Sequence, residues 1–429
     1  MKRVAIIGAD FTPSSMPPAL RIRFFAQHLA EFGWEPIIIT TDPRFYEWPV
    51  DQENTRLLPE HLKVIRTPAL STRLTRKLGF GDVGMRSMWH HWRVLSKLCR
   101  KGLVDLIFVP VPPFVPMVFG RLANMRFGVP YVIDYIDPWI TRYYWTVPKS
   151  QRPRKWFLAY ALSCVLEPIA IKRAAHIIGV SKGTTDSVIS RYPRFTQAHT
   201  TEIPYGGEPA DFDYLKRNPR KNQMFDADDG LLHISYVGAC IPAMHAAVRA
   251  LFDAICMGLR REAELFGRVR MHFVGTTYAP DAEGLYQVMP IAKEKGIEHL
   301  VREHPARVSY LDALQILLDS HALLAIGSDA PHYTASKVFP YILAQRPILA
   351  LFHEQSSVVN ILEETKAGDV ITFSPDHPVS DQVEEIYEYI RGMLMLPRRY
   401  QPPTHWEAFE RYTARAMTER LARVFDRAL

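Results

Sequence analysis

The sequence has little of what marks a membrane-spanning or exported chain. The apolar run 4–9 ends at Asp10, and the longer run 158–171 is interrupted by Glu167 and Pro168. A helix that crosses a bilayer needs about 20 apolar residues, so the sequence predicts no transmembrane segment. The first run has the length of a strand, so we expect no signal peptide.

Cysteines and glycine motifs are also scarce. The four cysteines, Cys99, Cys164, Cys240 and Cys256, lie far apart and form no Cys-x-x-Cys pair. They indicate reduced thiols in a cytoplasmic protein rather than a disulfide framework. The first predicted strand carries Gly8 alone, without G-x-G-x-x-G, which argues against an NAD site.

The composition is that of a globular protein with unevenly distributed charge. The 429 residues, 48% hydrophobic and 23% charged, suffice for two or three domains. Residues 1–205 carry 28 Lys and Arg against 15 Asp and Glu, whereas the rest carries 24 against 30. This asymmetry favours an anionic partner for the first half, with a merely solvated basic surface as the alternative.

Apolar, β-branched runs alternate with helical segments in the first half. Residues 20–32 have helical spacing, and Gly33 ends that helix. Because strands buried on both faces read as continuous apolar runs, this alternation predicts an α/β fold with a doubly wound parallel sheet. The predicted strands are residues 4–9, 36–41, 62–67, 105–111, 130–136 and 176–181.

A second series follows a polar stretch, residues 206–229, which has no periodic apolar pattern and predicts a linker. We therefore predict an N-terminal Rossmann-like domain (1–205) and a C-terminal one (230–403), with ligands bound in a cleft between their strand ends. The amphipathic segment 404–429 is expected to be one helix that packs back on the first domain. The second series comprises strands 232–238, 269–275, 322–327, 347–352 and 369–373 and helices near 246–259 and 311–320.

Ser336 and Lys337 precede a helix-like segment that leads into an apolar strand, within residues 328–351. The first N–H groups of a helix lack partners and carry partial positive charge, and Lys337 adds a full charge. The pattern predicts a phosphate-binding site. The alternative is an ordinary helix start with a solvated lysine.

Asp134 and Asp137 follow a predicted strand and precede Pro138 and Trp139. Carboxylates at the end of a strand suit acid–base or electrostatic work on a reacting group. The alternative is turn formation by Asp before Pro, which is common. Asp137 is the favoured catalytic candidate of the two.

Seven segments, in order and at suitable spacing, carry a resemblance to a known family. They are DFTPSSMPPALRIRFFAQHLAEFGWEPIIITTDP (10–43), VDLIFVPVPP (104–113), GVPYVIDYIDPW (128–139), AHIIGVS (175–181), IPYGGEP (203–209), SYLDALQILLDSHALLAIGS (309–328) and ASKVFPYILAQRPILAL (335–351). Together they resemble the family-four glycosyltransferases of the GT-B fold, specifically bacterial members that act on cell-surface polysaccharides. The resemblance covers nearly the whole chain.

The resemblance implies a hexosyltransferase-type enzyme that transfers a sugar with retention of configuration. The donor, a UDP- or GDP-linked sugar, is expected on the C-terminal domain, and a glycan or lipid-linked acceptor on the N-terminal domain. Neither a metal nor another cofactor is expected, because helix N-termini and basic side chains neutralise the leaving diphosphate in this family. The resemblance therefore also implies that the protein acts in the cytoplasm, in the synthesis of capsular or other cell-surface polysaccharides.

The chain departs from the family pattern at the donor site. The usual Glu-x7-Glu pair falls at His332 and Pro340, and neither residue is a carboxylate. The loop 238–245 lacks the usual Arg and Lys that hold phosphate and offers only His245. Lys337 is therefore expected to be the principal cation at the leaving group.

Further site residues are suggested by the resemblance. Gly238 and Gly275 end strands on the nucleotide side, where a missing side chain permits close approach of a donor, although they fit plain strand-to-loop glycines equally. Tyr310 is a candidate to flank the base or to be core, and Ser14 and Ser15 lie in the first loop near the expected acceptor. The donor-binding candidates are Gly238, His245, Gly275, Tyr310, His332, Ser336 and Lys337.

Cations alternate with aromatic residues in two stretches of the first half. Such a surface suits the anionic inner face of a membrane, where each cation contributes about 1 kcal/mol, so we expect peripheral docking that brings a lipid-linked acceptor to the cleft. A solvated surface is the first alternative, and single-stranded nucleic acid is disfavoured because no nucleic-acid fold is evident. The residues are 142–145, Lys149, Arg152, 154–157, Arg73, Arg76, Lys77 and 89–101.

The missing carboxylates leave a second hypothesis of another class: a GT-B scaffold without catalysis that acts as a binding or assembly partner in glycan synthesis. A nucleotide-sugar epimerase of similar architecture is a third hypothesis. Turnover of a nucleotide sugar, with and without an acceptor, distinguishes the three.

Overall fold

The computed structural model describes residues 1–48, 50–75, 81–141, 145, 152, 156–277, 284–329 and 335–429. The chain forms two compact units. The first unit comprises Met1–Tyr205 and Ala414–Leu429, and the second comprises Gly206–Thr413.

The first unit contains a seven-stranded sheet in which every strand is parallel to its neighbours. Its strands are Lys2–Ile7 (β1), Trp34–Thr41 (β2), Lys63–Thr67 (β3), Leu106–Val111 (β4), Tyr131–Tyr135 (β5), His176–Gly179 (β6) and Thr200–Glu202 (β7). They lie in the order β3-β2-β1-β4-β5-β6-β7. All residues of β4 and β5 are buried, because helices cover both faces of the sheet.

Helices flank this sheet, and their ends follow local chemistry. Pro17 and Pro18 occupy the first turn of the first helix, where the missing N–H costs no hydrogen bond. The Asp82 side chain accepts a hydrogen bond from the Met85 N–H and caps the third. The helices are Pro17–His28 (α1), Thr72–Thr75 (α2), Val83–Arg100 (α3), Met117–Phe127 (α4), Trp156–Ile171 (α5) and Lys182–Ile189 (α6).

The second unit contains a six-stranded parallel sheet. Its strands are Leu232–Val237 (β8), Val269–Val274 (β9), Val301–His304 (β10), Ala322–Ile326 (β11), Ile348–His353 (β12) and Asp369–Phe373 (β13), in the order β10-β9-β8-β11-β12-β13. Its helices are Pro209–Arg217 (α7), His245–Arg261 (α8), Ala263–Phe266 (α9), Met289–Glu294 (α10), Tyr310–Asp319 (α11), Val338–Ala344 (α12), Ser357–Thr365 (α13), Val383–Met395 (α14) and Trp406–Glu410 (α15).

The predicted fold class, two doubly wound parallel sheets, is confirmed. Two strands were missed, β7 and β10, and both lie at the edge of a sheet. Their sequences, TTE and VREH, are short and polar because an edge strand is only partly buried. Such strands lack the apolar run on which the prediction depends.

The predicted linker 206–229 needs correction, because it contains helix α7 within the second unit. The Glu208 side chain accepts a hydrogen bond from the Ala210 N–H, and Pro209 occupies the first turn. Phe212 and Leu215 are buried three residues apart, a spacing that places both on one helix face. This short apolar pattern was hidden among the surrounding charges.

The C-terminal segment forms two helices rather than one. Helix α15 ends at Glu410, and the last helix, Ala414–Ala428 (α16), belongs to the first unit. The Phe425 ring lies 5.2 Å from both the Trp34 and Phe108 rings, so α16 completes the core of the first unit. Among the described residues, none of the helices combines the length and the apolar character that crossing a bilayer requires.

Candidate functional site

Parallel doubly wound sheets bind ligands beyond the carboxyl ends of their strands, at the point where the strand order reverses. This reversal lies between β1 and β4 in the first unit and between β8 and β11 in the second. Each unit therefore has one edge position at which a site is expected.

Lys337 lies at the reversal point of the second unit. Its Nζ donates a hydrogen bond to the Tyr236 hydroxyl, lies 3.5 Å from the Ala239 carbonyl oxygen and stands 3.9 Å from the centre of the Tyr236 ring. Tyr236 in turn donates to the Ala239 carbonyl oxygen at 2.6 Å. The lysine is thus held over the carboxyl end of β8 and does not extend into bulk water.

The charge of Lys337 is poorly solvated in this position. Burial lowers the pKa of its ammonium group to about 7, and the buried thiol of Cys240 opposes that shift only in part. A neighbouring anion would restore the pKa, because an opposite charge favours the protonated form. The arrangement suits a cation that becomes fully charged when an anionic ligand arrives.

Local backbone geometry brings Lys337 to this point. The Tyr341 hydroxyl in α12 accepts a hydrogen bond from the Val237 N–H at 2.7 Å and fixes the helix to the end of β8. Gly238 has φ +140°, and a Cβ at this residue would lie 3.0 Å from the Lys337 Nζ. Glycine is therefore required for the close approach of lysine as well as for the backbone conformation.

Helix α12 begins at Val338 and has only seven residues, with Pro340 in its first turn. Proline is tolerated there because the N–H groups of the first turn have no intrahelical partner. Ser336 directly precedes Lys337 in a turn and is partly buried. His332 lies outside the described residues.

The other donor-side candidates occupy different surroundings. His245 begins α8, and its buried Nε2 has no partner among the described residues; burial lowers the pKa of its imidazole, with Arg249 adding to the shift. Gly275 ends β9 with φ +73°. The Tyr310 hydroxyl donates to the buried Asp211 carboxylate at 2.7 Å, which joins α11 to α7. This bond makes Tyr310 a packing residue as much as a candidate to flank a base.

Asp134 has a structural environment in the first unit. It is fully buried, and Arg21 forms a bidentate ion pair with it, with Nε–Oδ2 2.7 Å and Nη2–Oδ1 3.0 Å. The same guanidinium donates to the carbonyl oxygens of Ile203 and Pro204. A carboxylate that is enclosed in this way joins α1, β5 and the segment after β7, so we do not retain a catalytic role for Asp134.

Asp137 has the opposite character, because its side chain is exposed. Protein atoms crowded around the carboxyl reduce its hydration and raise its pKa. The Trp139 ring, two residues further on, stacks on the Phe114 ring at 5.5 Å and 9°. This stacking joins the Asp-Pro-Trp segment to the loop that follows β4, which begins with the cis prolines Pro112 and Pro113.

Ser14 and Ser15 lie in the loop after β1, and the fully buried Ser14 hydroxyl donates to Asp10 Oδ2 at 2.9 Å. Ser14 Oγ also accepts from the Trp48 indole N–H at 3.0 Å, and Ser15 Oγ accepts from the Asn54 side chain at 2.9 Å. These bonds shape the loop, and they use much of the bonding capacity of both hydroxyls.

Asp10 is a residue that the sequence prediction missed. It follows β1 at the reversal point, it is buried, and loss of hydration raises the pKa of its carboxyl to about 6, with Asp82 adding to the shift. The signal that was available is its position, an acidic residue directly after the first central strand. Tyr236, the partner of Lys337, was also missed, since inside an apolar strand it gives no signal of its own.

Known proteins resemble this chain in a family domain and in the overall fold. Residues 18–206 match the family described as a glycosyl transferase 4-like domain. No curated protein matches the chain. The Anabaena protein HepE, solved with UDP and glucose, has a TM-score of 0.62 and 13% identity over 99% of this chain and 100% of that one.

Two further solved structures cover the whole chain. A glycosyltransferase of Rickettsia africae has a TM-score of 0.60 and 11% identity, over 100% of this chain and 98% of that one. WaaG, a glycosyltransferase involved in lipopolysaccharide biosynthesis, has a TM-score of 0.57 and 13% identity over 98% of each chain.

Residues 18–206 form a glycosyl transferase 4-like domain, and the chain as a whole has the GT-B fold. The resemblance read from the sequence is therefore confirmed. The family match supports a glycosyltransferase. In this fold, Lys337 lies at the strand-order reversal of the second unit, Asp10 follows β1 at the reversal of the first, and Asp137 follows the nearby strand β5.

Proposed function

We propose that this glycosyltransferase moves a sugar, with retention of configuration, from a nucleotide diphosphate sugar to a glycan or lipid-linked acceptor in cell-surface polysaccharide synthesis. The observation that carries the proposal is the position of Lys337, whose Nζ lies between Tyr236 and the backbone at the carboxyl end of β8. This is the position where such sheets bind their ligands.

In the proposed reaction, the bond between the anomeric carbon and the diphosphate oxygen breaks, and its electron pair stays on the phosphate. The Lys337 ammonium group stabilises that developing charge, and Ser336 adds a hydroxyl donor. The acceptor hydroxyl forms the new bond to the anomeric carbon, and the ionised Asp137 carboxylate accepts its proton. Because the preorganised cation is desolvated, it interacts with the leaving group more strongly than a lysine in water does.

The acceptor is proposed to bind the first unit. Asp137 is its principal acid–base candidate, since its carboxyl is exposed and has a raised pKa. Asp10 is buried beneath the same edge of the sheet and is better suited to holding the loop than to touching a sugar. We propose UDP as the first nucleotide to test, because the similar HepE binds UDP and UDP-glucose.

A panel of UDP-, GDP- and dTDP-sugars tests the function directly. Nucleoside diphosphate release that depends on an added glycan or lipid-linked acceptor supports sugar transfer, and the anomeric configuration of the product tests retention. Conversion of the donor without an acceptor and without nucleotide release favours an epimerase. Nucleotide binding without turnover favours a scaffold that lacks catalysis, as the missing carboxylate at Pro340 suggests, and no binding contradicts the proposal.

We further propose that the first unit docks on an anionic membrane surface. Helix α5 has an exposed apolar stripe at helical spacing, formed by Leu158, Leu162, Val165 and Ile169, with exposed fractions of 53%, 37%, 60% and 47%. Its inner side is held by buried Glu167, which accepts hydrogen bonds from Tyr135 and Tyr192. A helix fixed in this way presents its apolar stripe outwards.

Neighbouring helices also carry exposed apolar and basic side chains. Helix α4 packs beside both α3 and α5 and exposes Met125, and α3 exposes Trp89 together with the cations Arg93, Lys97 and Arg100. Apolar and aromatic side chains combined with cations are typical of proteins that lie at a membrane interface. Of the predicted basic–aromatic residues, Arg76, Lys77, 142–144, Lys149, Arg154 and Lys155 lie outside the described residues.

Sedimentation with vesicles tests the docking. We expect binding to vesicles that contain anionic lipid, weaker binding at high salt, and a further loss in the double variant Leu162→Ser/Val165→Ser. Leu285→Ser, which changes an exposed leucine of the second unit, is the matched control. Equal binding by both variants, or no sedimentation of the wild type at low salt, contradicts the docking without affecting the proposed reaction.

A further inference from the structure

The second unit has a cavity at the amino ends of its central strands, whereas Lys337 lies at their carboxyl ends. The cavity has a volume of about 200 Å³ and lies beside the first residues of β8 and β11. Six-residue strands such as β8 span about 20 Å, so the cavity is remote from the proposed donor site. Its volume is several times the roughly 30 Å³ that one water occupies in the liquid.

Three arginines line this cavity, and their positions are held in different ways. Arg346 donates from Nε and Nη2 to the Leu318 carbonyl oxygen at 2.8 and 2.6 Å, which fixes the guanidinium at the end of α11. Arg398 lies 3.5 Å from Asp228, a loose ion pair. Arg399 makes no ion pair with any described residue, and its φ is +64°. The pKa of Arg346 is lowered by burial and by nearby Arg399.

His321 also lines this cavity. It directly precedes β11, and its Nε2 bonds the Met393 carbonyl oxygen at 2.9 Å, so Nε2 carries the proton. Nδ1 is buried and has no partner among the described residues. A buried polar atom without a partner costs free energy, and a ligand that supplies a hydrogen bond recovers it.

We propose that this cavity binds a phosphate group, free or as a monoester, through Arg346, Arg398 and Arg399, with a proton shared between a phosphate oxygen and His321 Nδ1. Guanidinium groups match phosphate oxygens in geometry and charge. Two carboxylates also line the cavity, but Asp228 faces Arg398, and Asp319 accepts from the Gln315 side chain at 3.0 Å. Three guanidinium groups against two carboxylates leave a net positive cavity.

The shared proton gives the site a characteristic pH dependence. Burial lowers the pKa of His321, the bond to Met393 opposes this, and Arg398, Arg346 and Arg268 add to the lowering. A phosphate monoester loses its second proton near pH 6. Because the phosphate supplies the shared proton and loses it as the pH rises, phosphate affinity decreases from pH 6 to pH 8.

Isothermal titration calorimetry of the full chain with inorganic phosphate and glycerol 3-phosphate tests the inference. Arg399→Gln should weaken binding about tenfold, the effect of losing one charge-assisted hydrogen bond of about 1.5 kcal/mol. Arg260→Gln, an exposed arginine of the same unit, should leave binding unchanged. Lys337→Met separates this cavity from the proposed donor site: phosphate binding that Lys337→Met weakens and Arg399→Gln does not belongs to the donor site and overturns the inference, whereas the reverse result supports it whatever the outcome for the proposed function.

His321→Gln tests the histidine without removing its contact to Met393. A glutamine amide can donate to that carbonyl oxygen, but it has no atom in the position of Nδ1. We expect this variant to bind phosphate with little change between pH 6 and pH 8. Binding of both probes shows that the phosphate group suffices, and binding of glycerol 3-phosphate alone assigns the site to monoesters. No binding of either probe, or equal affinities in Arg399→Gln and Arg260→Gln, overturns the proposal.

Discussion

The two units share one strand order around their reversal points, but the groups at those points have opposite charge. In the first unit, loss of hydration raises the pKa of the carboxyls of Asp10 and Asp137. In the second, the same physical cause lowers the pKa of the Lys337 ammonium group to about 7. One topology therefore produces two sites in which burial shifts the pKa of an ionisable group towards neutral pH.

The difference indicates a division of labour. A carboxyl with a raised pKa can exchange a proton with an acceptor hydroxyl, whereas a desolvated lysine suits a phosphate leaving group. The fold determines only the position of each site, and the side chains at that position determine its chemistry. The following variants test whether the division is correct.

The largest effect is expected from Asp134→Asn in the first unit. Removing this carboxylate leaves buried Arg21 without its countercharge, which costs about 3–5 kcal/mol of stability. Urea unfolding should show the loss, whereas Asp213→Asn, in an exposed ion pair with Lys216, should change stability little. Normal stability with lost activity would instead return Asp134 to the catalytic site.

Lys337→Met should have the next largest effect, on the reaction itself. Loss of a preorganised group at a developing charge costs about 10²–10³-fold in kcat. The measurement is donor turnover under saturating conditions, with exposed Lys293→Met of the same unit as the control. Wild-type turnover in Lys337→Met would remove the basis of the proposed mechanism.

Asp137→Asn should reduce transfer about 10²-fold, the lower range for the loss of an acid–base group. The affinity for UDP should stay unchanged, because this residue belongs to the first unit. Paired measurements of transfer and UDP affinity separate the roles of the two units. A parallel loss of UDP affinity would contradict the division of labour.

The affinity for UDP should also depend on pH through Lys337. The protonated lysine binds the diphosphate, and its pKa in the free protein is about 7, so affinity should fall up to about tenfold per pH unit above pH 7. Lys337→Arg remains charged and should bind UDP with a flatter pH profile. Identical profiles in the two proteins would show that another group controls the dependence.

Asp10→Asn is expected to change the pH dependence of stability rather than the reaction. The carboxyl pKa is 3.8 when unfolded and about 6 when folded, so the folded state binds more protons between these values. Wild-type stability therefore falls as the pH rises from about 4 to about 6 through this residue, and the asparagine variant lacks that contribution. Melting temperatures across this pH range, taken as the difference between the two proteins, measure it.

Much of the fold was predictable because buried parallel strands have a strong signal. The run at β4 is apolar throughout, and its bounds were predicted within one residue. Helix α7 and strands β7 and β10 escaped because their few buried residues lie among polar ones. The position of Lys337 before a helix and a strand suggested a phosphate-binding role, but nothing in the sequence indicated its burial against Tyr236.

The two aspartates show most clearly where sequence reasoning ends. Asp134 and Asp137 lie three residues apart after one strand, and the same pattern suggested the same chemistry for both. Arg21, the residue that neutralises Asp134, is 113 positions away in the chain. A pairing at that distance has no local signature.

The sequence by itself determined the α/β class, the order of the strands along the chain and the position of a lysine before a short helix. These follow from local apolar patterns and from residue chemistry. Only the tertiary structure decided which charges are paired and which are not, because burial and distant partners set the pKa of each group. The opposite shifts of Asp10 and Lys337 arise in that packing.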